Sequence, residues 1–189
     1  MFGTSEEPRE AVIGLNVGSG QRRFDTAQGW INLDRVCRKT VKVGENDIDS
    51  MPDVAGDGLS LPFKDALFDY VVLHHTLEHA GLPEGATMLA ECWRVLRTGG
   101  SLLVFLPDIR ALAVRWISGR IDDYTFFVNC MGAYMGSEED RHRWHYTMSS
   151  LSSAVRNAGF KGLAPFDWRT IPGASVCRDW WILGAEAVK

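Results

Sequence analysis

The sequence has no apolar run approaching the roughly 18 residues of a membrane-spanning helix, so it predicts no membrane segment. Basic residues are not in excess either, since the formal net charge is −4 and the pI is about 5.7. Nucleic-acid-binding domains usually carry a basic patch and a high pI, so we expect no nucleic-acid partner. The composition is 46% hydrophobic and 23% charged, as in an ordinary globular protein, and 189 residues fit a single domain.

The cysteines lack the paired spacing of a zinc ribbon or a thioredoxin-type motif. They are dispersed along the chain as Cys37, Cys92, Cys130 and Cys177. Dispersed cysteines of this kind are typical of reduced thiols, which favours a cytoplasmic location. The polar, acidic N-terminus resembles neither a signal peptide nor a transit peptide, so we expect residues 1–10 to form a loose tail.

Apolar runs alternate with helical patterns along most of the chain. The runs predict strands over 12–17, 30–33, 41–43, 53–56, 68–73, 101–106 and 180–188. Between the two clearest strands, one apolar stripe predicts a helix that Gly99-Gly100 stops. The stripe consists of Ala86, Leu89, Ala90, Trp93 and Leu96. A second helix is predicted over 149–158, and the alternation favours a mainly parallel sheet that binds its ligand at the carboxyl edge.

Residues 107–146 fit this alternation least, because aromatic, methionine and charged residues are mixed there. One interpretation is an irregular or helical insertion over the strand ends, where lids and substrate pockets are built. The other is a packed helical pair with no role in chemistry. The sequence leaves both open.

The stretch LNVGSGQRR, at residues 15–23, predicts a strand that enters a tight glycine turn. A dinucleotide-binding turn needs a third glycine for close helix packing, and Arg23 stands at that position. No Gly-Lys-Ser/Thr follows, which excludes a P-loop for nucleoside triphosphates. A two-glycine turn fits a ligand that brings no pyrophosphate, such as S-adenosylmethionine, whose methionine part lies across bare backbone.

Two acids end the strands that follow. Asp34 can accept both ribose hydroxyl hydrogens, and Asp57 is placed for the adenine amino group while Leu59 covers the ring. Further along stand the sequences LPF, FDYVV, LEH and ECWRVLRTGG.

These motifs, in this order and spacing, resemble the class I S-adenosylmethionine-dependent methyltransferases, and most closely a methyltransferase type 11-like subgroup with LNxGxG. The resemblance is strong over 12–106, weaker over 142–160, and says nothing about 107–141. It implies a Rossmann-like methyltransferase fold. That fold is a mainly parallel seven-stranded sheet flanked by helices, with an irregular or helical insertion after strand 5. It also implies S-adenosylmethionine as the cofactor.

The predicted cofactor contacts lie at the glycine turn and at the neighbouring strand ends. They are Asn16, Gly18, Ser19, Gly20, Asp34, Arg35, Asp57, Gly58, Leu59, Leu73 and His74. Asn16 departs from the acid that most class I methyltransferases carry there, and it offers only a neutral carbonyl oxygen to the charged amino group of the cofactor.

Methyl transfer to a hydroxyl needs a base to remove its proton, and the candidates are His75, His142 and His145. His79 is interpreted as structural. The pair His142 and His145 could place two imidazoles on one helical turn, but no further ligands are in view, so we expect no metal. Asp108 is interpreted as a helix cap rather than as a contact to a substrate hydroxyl.

We therefore expect an enzyme that methylates an oxygen of a small molecule or a glycan, with 107–146 selecting the acceptor. No Asn/Asp-Pro-Pro-Tyr/Phe motif follows FDYVVL, which argues against methylation of DNA bases or glutamine amides. The alternative is a cofactor-binding partner subunit without catalysis. A nicotinamide oxidoreductase is poorly supported because of Arg23. A homodimer is compatible with either of the first two.

Overall fold

The computed structural model describes residues 13–20, 22–43, 46–132, 138–167 and 181–189, with backbone only for 38–43 and 46–50. The predicted tail at 1–10 and Cys177 lie outside the described residues. The described strands are β1 (Gly14–Val17), β2 (Trp30–Asp34), β3 (Arg38–Val43), β4 (Asn46–Ser50), β5 (Val54–Ala55), β6 (Phe68–His74), β7 (Leu96–Pro107), β8 (Lys161–Pro165) and β9 (Ile182–Val188). The α-helices are α1 (Leu82–Val95), α2 (Ile109–Ile117), α3 (Asp123–Met131) and α4 (Met148–Asn157).

Seven strands form one sheet in the order β5-β2-β1-β6-β7-β9-β8. Every described pairing in it is parallel except those of β9, which runs antiparallel to β7 and β8. The chain leaves β1 toward one edge and returns to β6 on the other side of β1, so the strand order reverses there. The predicted fold class is confirmed. A reversal point is where open α/β sheets bind ligands, at the carboxyl ends of the strands.

The β3 and β4 strands form a separate antiparallel pair. The strand predicted at 41–43 is therefore real but does not belong to the main sheet. The sequence also missed β8, whose residues are too small and mixed to form an apolar run. Among the described residues, no helix is both long and apolar enough to cross a membrane.

The main core lies where α1 and α4 pack on one face of the sheet. The predicted α1 stripe is wrong in phase: Ala86 and Ala90 are exposed, and Trp93 is 37% exposed. Leu96 is already in β7, so the helix ends before the predicted Gly99-Gly100 stop. The buried face consists of Gly85, Met88, Leu89, Cys92 and Val95. Trp93 instead covers the surface, with the Lys189 ammonium 3.9 Å from its ring centroid.

On the opposite face, no α-helix joins β1 to β2 in the described residues. A loop carries Phe24 against the sheet, where its ring meets that of Trp30 edge to face at 4.8 Å between centroids. Because no helix has to pack closely after the glycine turn, the third glycine is not needed. Arg23 points instead to Asp53 and forms an ion pair with it.

The insertion predicted at 107–146 contains α2 and α3, and its residues 133–137 lie outside the described part of the chain. The rings of Trp116 and Phe126 stack at 4.4 Å and join the two helices. The insertion is thus helical over this part. Its last residues, 141–146, return to the carboxyl edge of the sheet.

Candidate active site

The glycine turn follows β1 at the carboxyl edge of the sheet. The amides of Gly18 and Ser19 both donate to the carbonyl oxygen of Leu33, at 2.8 and 3.0 Å. Gly18 has a φ of +68°, and a Cβ there would lie 2.5 Å from Cγ2 of Thr76. Glycine is therefore required for two reasons, the left-handed backbone and the close approach of Thr76.

Asp34, at the end of β2, binds the backbone around this turn. One carboxylate oxygen accepts the amide hydrogen of Gly20 at 2.7 Å, and the other accepts that of Val36 at 2.8 Å. Each carboxylate oxygen can accept more than one hydrogen bond, so the group retains capacity for two hydroxyls. Arg35 follows it with an exposed side chain.

Asn16 is fully buried, and its side-chain amide holds the loop after the turn. Its NH2 group donates to the carbonyl oxygen of Arg22 at 2.7 Å and to Oδ1 of Asn32 at 3.0 Å. Its own Oδ1 has no hydrogen-bond partner among the described residues. Ser19 likewise has a buried hydroxyl without a described partner. Two buried oxygens beside the turn therefore lack a hydrogen-bond donor among the described residues.

Asn32 is a residue of this region that sequence reasoning missed. It donates to the carbonyl oxygen of Phe24 at 2.9 Å and to Asp53 at 2.8 Å, and so ties the loop to β2. The signal available was an amide inside the apolar run WINLD, because a buried polar side chain must find partners.

The segment after β5 forms a tight turn near the end of β1. Oδ1 of Asp57 accepts the amide hydrogen of Leu59 at 2.9 Å, so this acid shapes its own turn. A Cβ on Gly58 would lie 3.1 Å from Cγ1 of Val17, which places the turn against β1. Leu59 is partly buried against the main core.

The predicted contacts on β6 differ in environment. The side chain of Leu73 is fully buried in the main core, so only its backbone faces the strand end. His74 is buried against the second core face, with its ring 5.6 Å from that of Phe105. Burial, followed by the charge of Arg22, lowers the pKa of His74 to about 3, so its imidazole is neutral at neutral pH.

Just beyond β6, the buried carboxylate of Glu78 lies near several histidines. Oε1 of Glu78 lies 3.0 Å from Nδ1 of His75 and 4.0 Å from Nε2 of His142. His75 has a φ of +54°, which is uncommon for a residue other than glycine. Its backbone N–H donates a hydrogen bond to the carbonyl oxygen of Phe105, which holds this conformation. The ring of His79 lies 4.9 Å from that of His142. We call Glu78, His75, His79, His142 and His145 the histidine cluster.

Glu78 is ionised in this environment. Burial alone would raise its pKa, but the hydrogen bond from His75 and the nearby imidazoles outweigh burial and hold the pKa below its usual value. Burial lowers the pKa of His142 to about 4 despite the neighbouring Glu78, so His142 is neutral at neutral pH.

The histidine cluster is assembled by backbone contacts between distant segments. The amides of Arg143 and Trp144 donate to the carbonyl oxygen of Glu78, at 2.8 and 3.2 Å. This docking brings His142 and His145 to the end of β6, with ring centroids 5.8 Å apart. Sequence reasoning placed both in the site but missed Glu78 as their centre.

Tyr146 is a second residue that the sequence did not identify. Its side chain is almost fully buried, and burial followed by the charge of Glu78 raises its pKa to about 12.

Asp108 caps α2 as predicted, with Oδ1 accepting from the amides of Arg110 and Ala111 at 2.9 and 3.1 Å.

The sheet order and the glycine turn define a Rossmann-like methyltransferase fold, and known proteins support this. Residues 16–104 match a family model described as a methyltransferase domain. Demethylmenaquinone methyltransferase of Streptomyces griseus is 38% identical over 178 residues, covering 89% of this chain and 75% of that protein. That of Parafrankia sp. is 29% identical over 139 residues, covering 65% of this chain and 48% of that protein. The chain thus spans only about half the length of the latter relative.

Solved structures show the same fold. The Burkholderia thailandensis 1,6-didemethyltoxoflavin-N1-methyltransferase, with bound 1,6-didemethyltoxoflavin and S-adenosylhomocysteine, superposes with a TM-score of 0.55 at 20% identity, covering 94% of this chain and 70% of that one. Human N-acetylserotonin methyltransferase in complex with S-adenosylmethionine gives 0.54 at 13% identity, covering 94% and 47%.

The chain belongs to the class I S-adenosylmethionine-dependent methyltransferases. The predicted family, enzyme class and cofactor are confirmed, whereas the LNxGxG subgroup stays a prediction. The residues present fit the cofactor, because the backbone at Gly20 borders open space, with no described atom within 4 Å of where a Cβ would lie, and the buried oxygens of Asn16 and Ser19 have no described partners.

Proposed function

We propose that the chain methylates a small-molecule acceptor that carries an acidic hydroxyl, and that His75 removes the hydroxyl proton. The observation that carries this proposal is the contact of 3.0 Å between Nδ1 of His75 and Oε1 of Glu78. It lies directly after β6, next to Thr76, which packs on the glycine turn.

The protonation state follows from the partner. An ionised carboxylate only accepts hydrogen bonds, so Nδ1 of His75 carries the hydrogen and Nε2 is the nitrogen that can take up a proton. Glu78 then stabilises the imidazolium that results. Glu78 is a positioning residue in this scheme, because it acts through His75.

The proposed cofactor site lies beside the histidine cluster, at the ends of β1, β2 and β5. Backbone at Gly18 and Gly20, the Asp34 carboxylate and the turn at Asp57 to Leu59 would hold S-adenosylmethionine. When bound, it supplies an electrophilic methyl carbon on a positively charged sulfur. The remaining predicted contacts, from Asn16 to His74, are proposed to line the same groove.

The methylated atom has two candidates. The sequence predicts oxygen, in a small molecule or a glycan. The relatives named demethylmenaquinone methyltransferase favour a ring carbon of a small molecule, as does the name of a Paracoccus denitrificans relative, which specifies a C-methyltransferase. Deprotonation serves both outcomes, since a phenolate is nucleophilic at its oxygen and at ring carbons. Residues 107–146 are proposed to select the acceptor, because their last part delivers His142 and His145.

The test incubates the protein with S-adenosylmethionine and a panel of quinols, phenols and sugars, and identifies the methylated atom by mass spectrometry and NMR. His75→Asn is the diagnostic variant, because asparagine tolerates the left-handed backbone. We expect its turnover number to fall by about 10²–10⁴-fold with unchanged cofactor affinity. His142→Gln and His145→Gln should lose less.

Unchanged turnover in His75→Asn would place the base elsewhere. Cofactor binding without turnover of any acceptor would favour the partner-subunit alternative. A cytoplasmic location and a homodimer also stay predictions, and cell fractionation and sedimentation velocity respectively test them.

A further inference from the structure

The histidine cluster contains a set of potential metal ligands that are not among the predicted cofactor contacts. One ligand atom each from Glu78, His79 and His142 lies within 4.8 Å of the other two. A tetrahedral zinc ion with bonds of about 2.1 Å holds its ligands roughly 3.4 Å apart, so small side-chain movements would close this set around an ion.

The carboxylate of Glu78 is only half satisfied. Its Oε1 contacts His75, whereas its Oε2 is buried without a hydrogen-bond partner among the described residues. A buried anionic oxygen without a donor is costly, and a cation bound to it removes that cost.

Each of the two imidazoles offers a ring nitrogen to an ion. Nδ1 of His79 lies 3.2 Å from the carbonyl oxygen of Arg141, so Nδ1 carries the hydrogen and Nε2 bears the lone pair. Metal-bound histidines are commonly oriented by such a bond from the other nitrogen. Nε2 of His142 lies 4.0 Å from Oε1 of Glu78, and its Nδ1 has no hydrogen-bond partner in the described part of the chain.

We propose that Glu78, His79 and His142 bind a divalent ion of the zinc class. One carboxylate and two imidazoles suit zinc and its first-row neighbours, and three protein ligands leave one position open for water or substrate. The sequence predicted no metal because His142 and His145 had no visible co-ligands. The fold supplies the co-ligands Glu78 and His79 from the turn after β6. His79 contacts Arg141, which is 62 residues further along the chain.

The proposed metal site shares Glu78 with the proposed function, but it does not require His75 to act as the base. The test titrates chelator-treated protein with Zn²⁺ against a fluorescent zinc indicator. We expect one ion per chain. Glu78→Gln and His142→Gln should each weaken Zn²⁺ binding on the order of tenfold or more. His145→Gln, a matched neighbour outside the ligand set, should leave it unchanged.

Since Glu78 is buried, its variant could unfold, and a second measurement on the unmodified protein guards against this. X-ray absorption spectroscopy of the Co²⁺-loaded chain at the cobalt edge should show nitrogen and oxygen ligands, including imidazole. Absence of Zn²⁺ binding, thiolate ligation of Co²⁺, or unchanged affinity in folded His142→Gln would each overturn the proposal. Binding of S-adenosylhomocysteine by the same chelator-treated sample separates failure of this site from failure of the proposed function.

Discussion

At the scale of single residues, hydrogen bonds between side chains and backbone groups build the site. Asp34 and Thr76 both bind the glycine turn, and Asn16 and Asn32 hold the loop that follows it. Thr76 donates its hydroxyl hydrogen to the carbonyl oxygen of Val17 at 2.9 Å, so it links β6 to the end of β1. Contacts within the protein therefore fix the shape of the turn.

Gly18 gives the sharpest prediction at this scale. Gly18→Ala should destabilise the fold more than Gly119→Ala by about 1–3 kcal/mol, the usual cost of overpacking. The two glycines have φ values of +68° and +69°, but only Gly18 has a neighbour within 4 Å of its hypothetical Cβ. Chemical unfolding monitors both variants, and Thr76→Ala should restore much of the loss in Gly18→Ala. Equal losses at the two glycines would contradict the proposed crowding.

Asp53 predicts a dependence of stability on pH. Burial would raise its pKa, but hydrogen bonds from Asn32 and the charge of Arg23 outweigh burial, so its pKa lies below the usual value. Its stabilising contribution is therefore complete above the unfolded pKa of about 3.9 and is lost as the pH falls through the lower folded value. We expect Asp53→Asn to cost about 1–2 kcal/mol near neutral pH.

The measurement is urea unfolding of Asp53→Asn and the wild type from neutral pH down to about 3, where the pKa range of carboxylates is crossed. The difference between them should shrink as the pH falls. Asp25→Asn, which changes an exposed acid in the loop between β1 and β2, controls for the loss of one charge. A difference that stays constant through acid pH would show that the ionised form is not what stabilises β2.

At the scale of elements, the sequence predicted the sheet well and the helix α1 poorly. Strands such as SLLVFL are buried on both faces, so their apolar runs are nearly unbroken and easy to identify. In α1 some apolar residues lie outside the buried face. Alanine is tolerated at exposed helix positions, as at Ala86 and Ala90, and the exposed Trp93 packs against the ammonium of Lys189 at the surface. The true face includes Gly85, which carries little hydrophobic signal, and also Met88, Cys92 and Val95, which the predicted stripe left out.

The site shows the same division. The glycine turn and the strand-end acids are local patterns, so sequence identified them. Glu78 became the centre of the histidine cluster only because Arg143 and Trp144 dock on its carbonyl oxygen. Contacts between segments so far apart in sequence leave no periodic signal, which is why the cluster could be predicted only in part.

The corrected face of α1 predicts a contrast between two leucines. Leu89 is 0% exposed and Leu82 is 50% exposed in the same helix. Leu89→Ala should cost about 2–5 kcal/mol because it leaves a cavity, whereas Leu82→Ala should cost well below that. Chemical denaturation measures both, and similar losses would mean that the helix packs with a different face.

At the scale of the whole molecule, the strand reversal between β1 and β6 places the proposed cofactor groove next to the histidine cluster. The proposed groove uses the glycine turn, the ends of β2 and β6 and the turn after β5, whereas the histidine cluster uses the turn after β6 and the return of the insertion. Neither half requires a helix between β1 and β2, which explains how a turn with Arg23 in place of a third glycine serves this family.

The account depends most on a groove for S-adenosylmethionine at the glycine turn. Calorimetric titration with S-adenosylhomocysteine tests it most directly, with NADH as the competing ligand and Asp25→Ala as the control for Asp34→Ala. We predict one S-adenosylhomocysteine bound per chain, no binding of NADH, and an affinity about 10–100-fold weaker in Asp34→Ala, the effect of losing charge-assisted hydrogen bonds worth about 1.5–3 kcal/mol. No binding of S-adenosylhomocysteine, or binding of NADH in its place, would contradict the account.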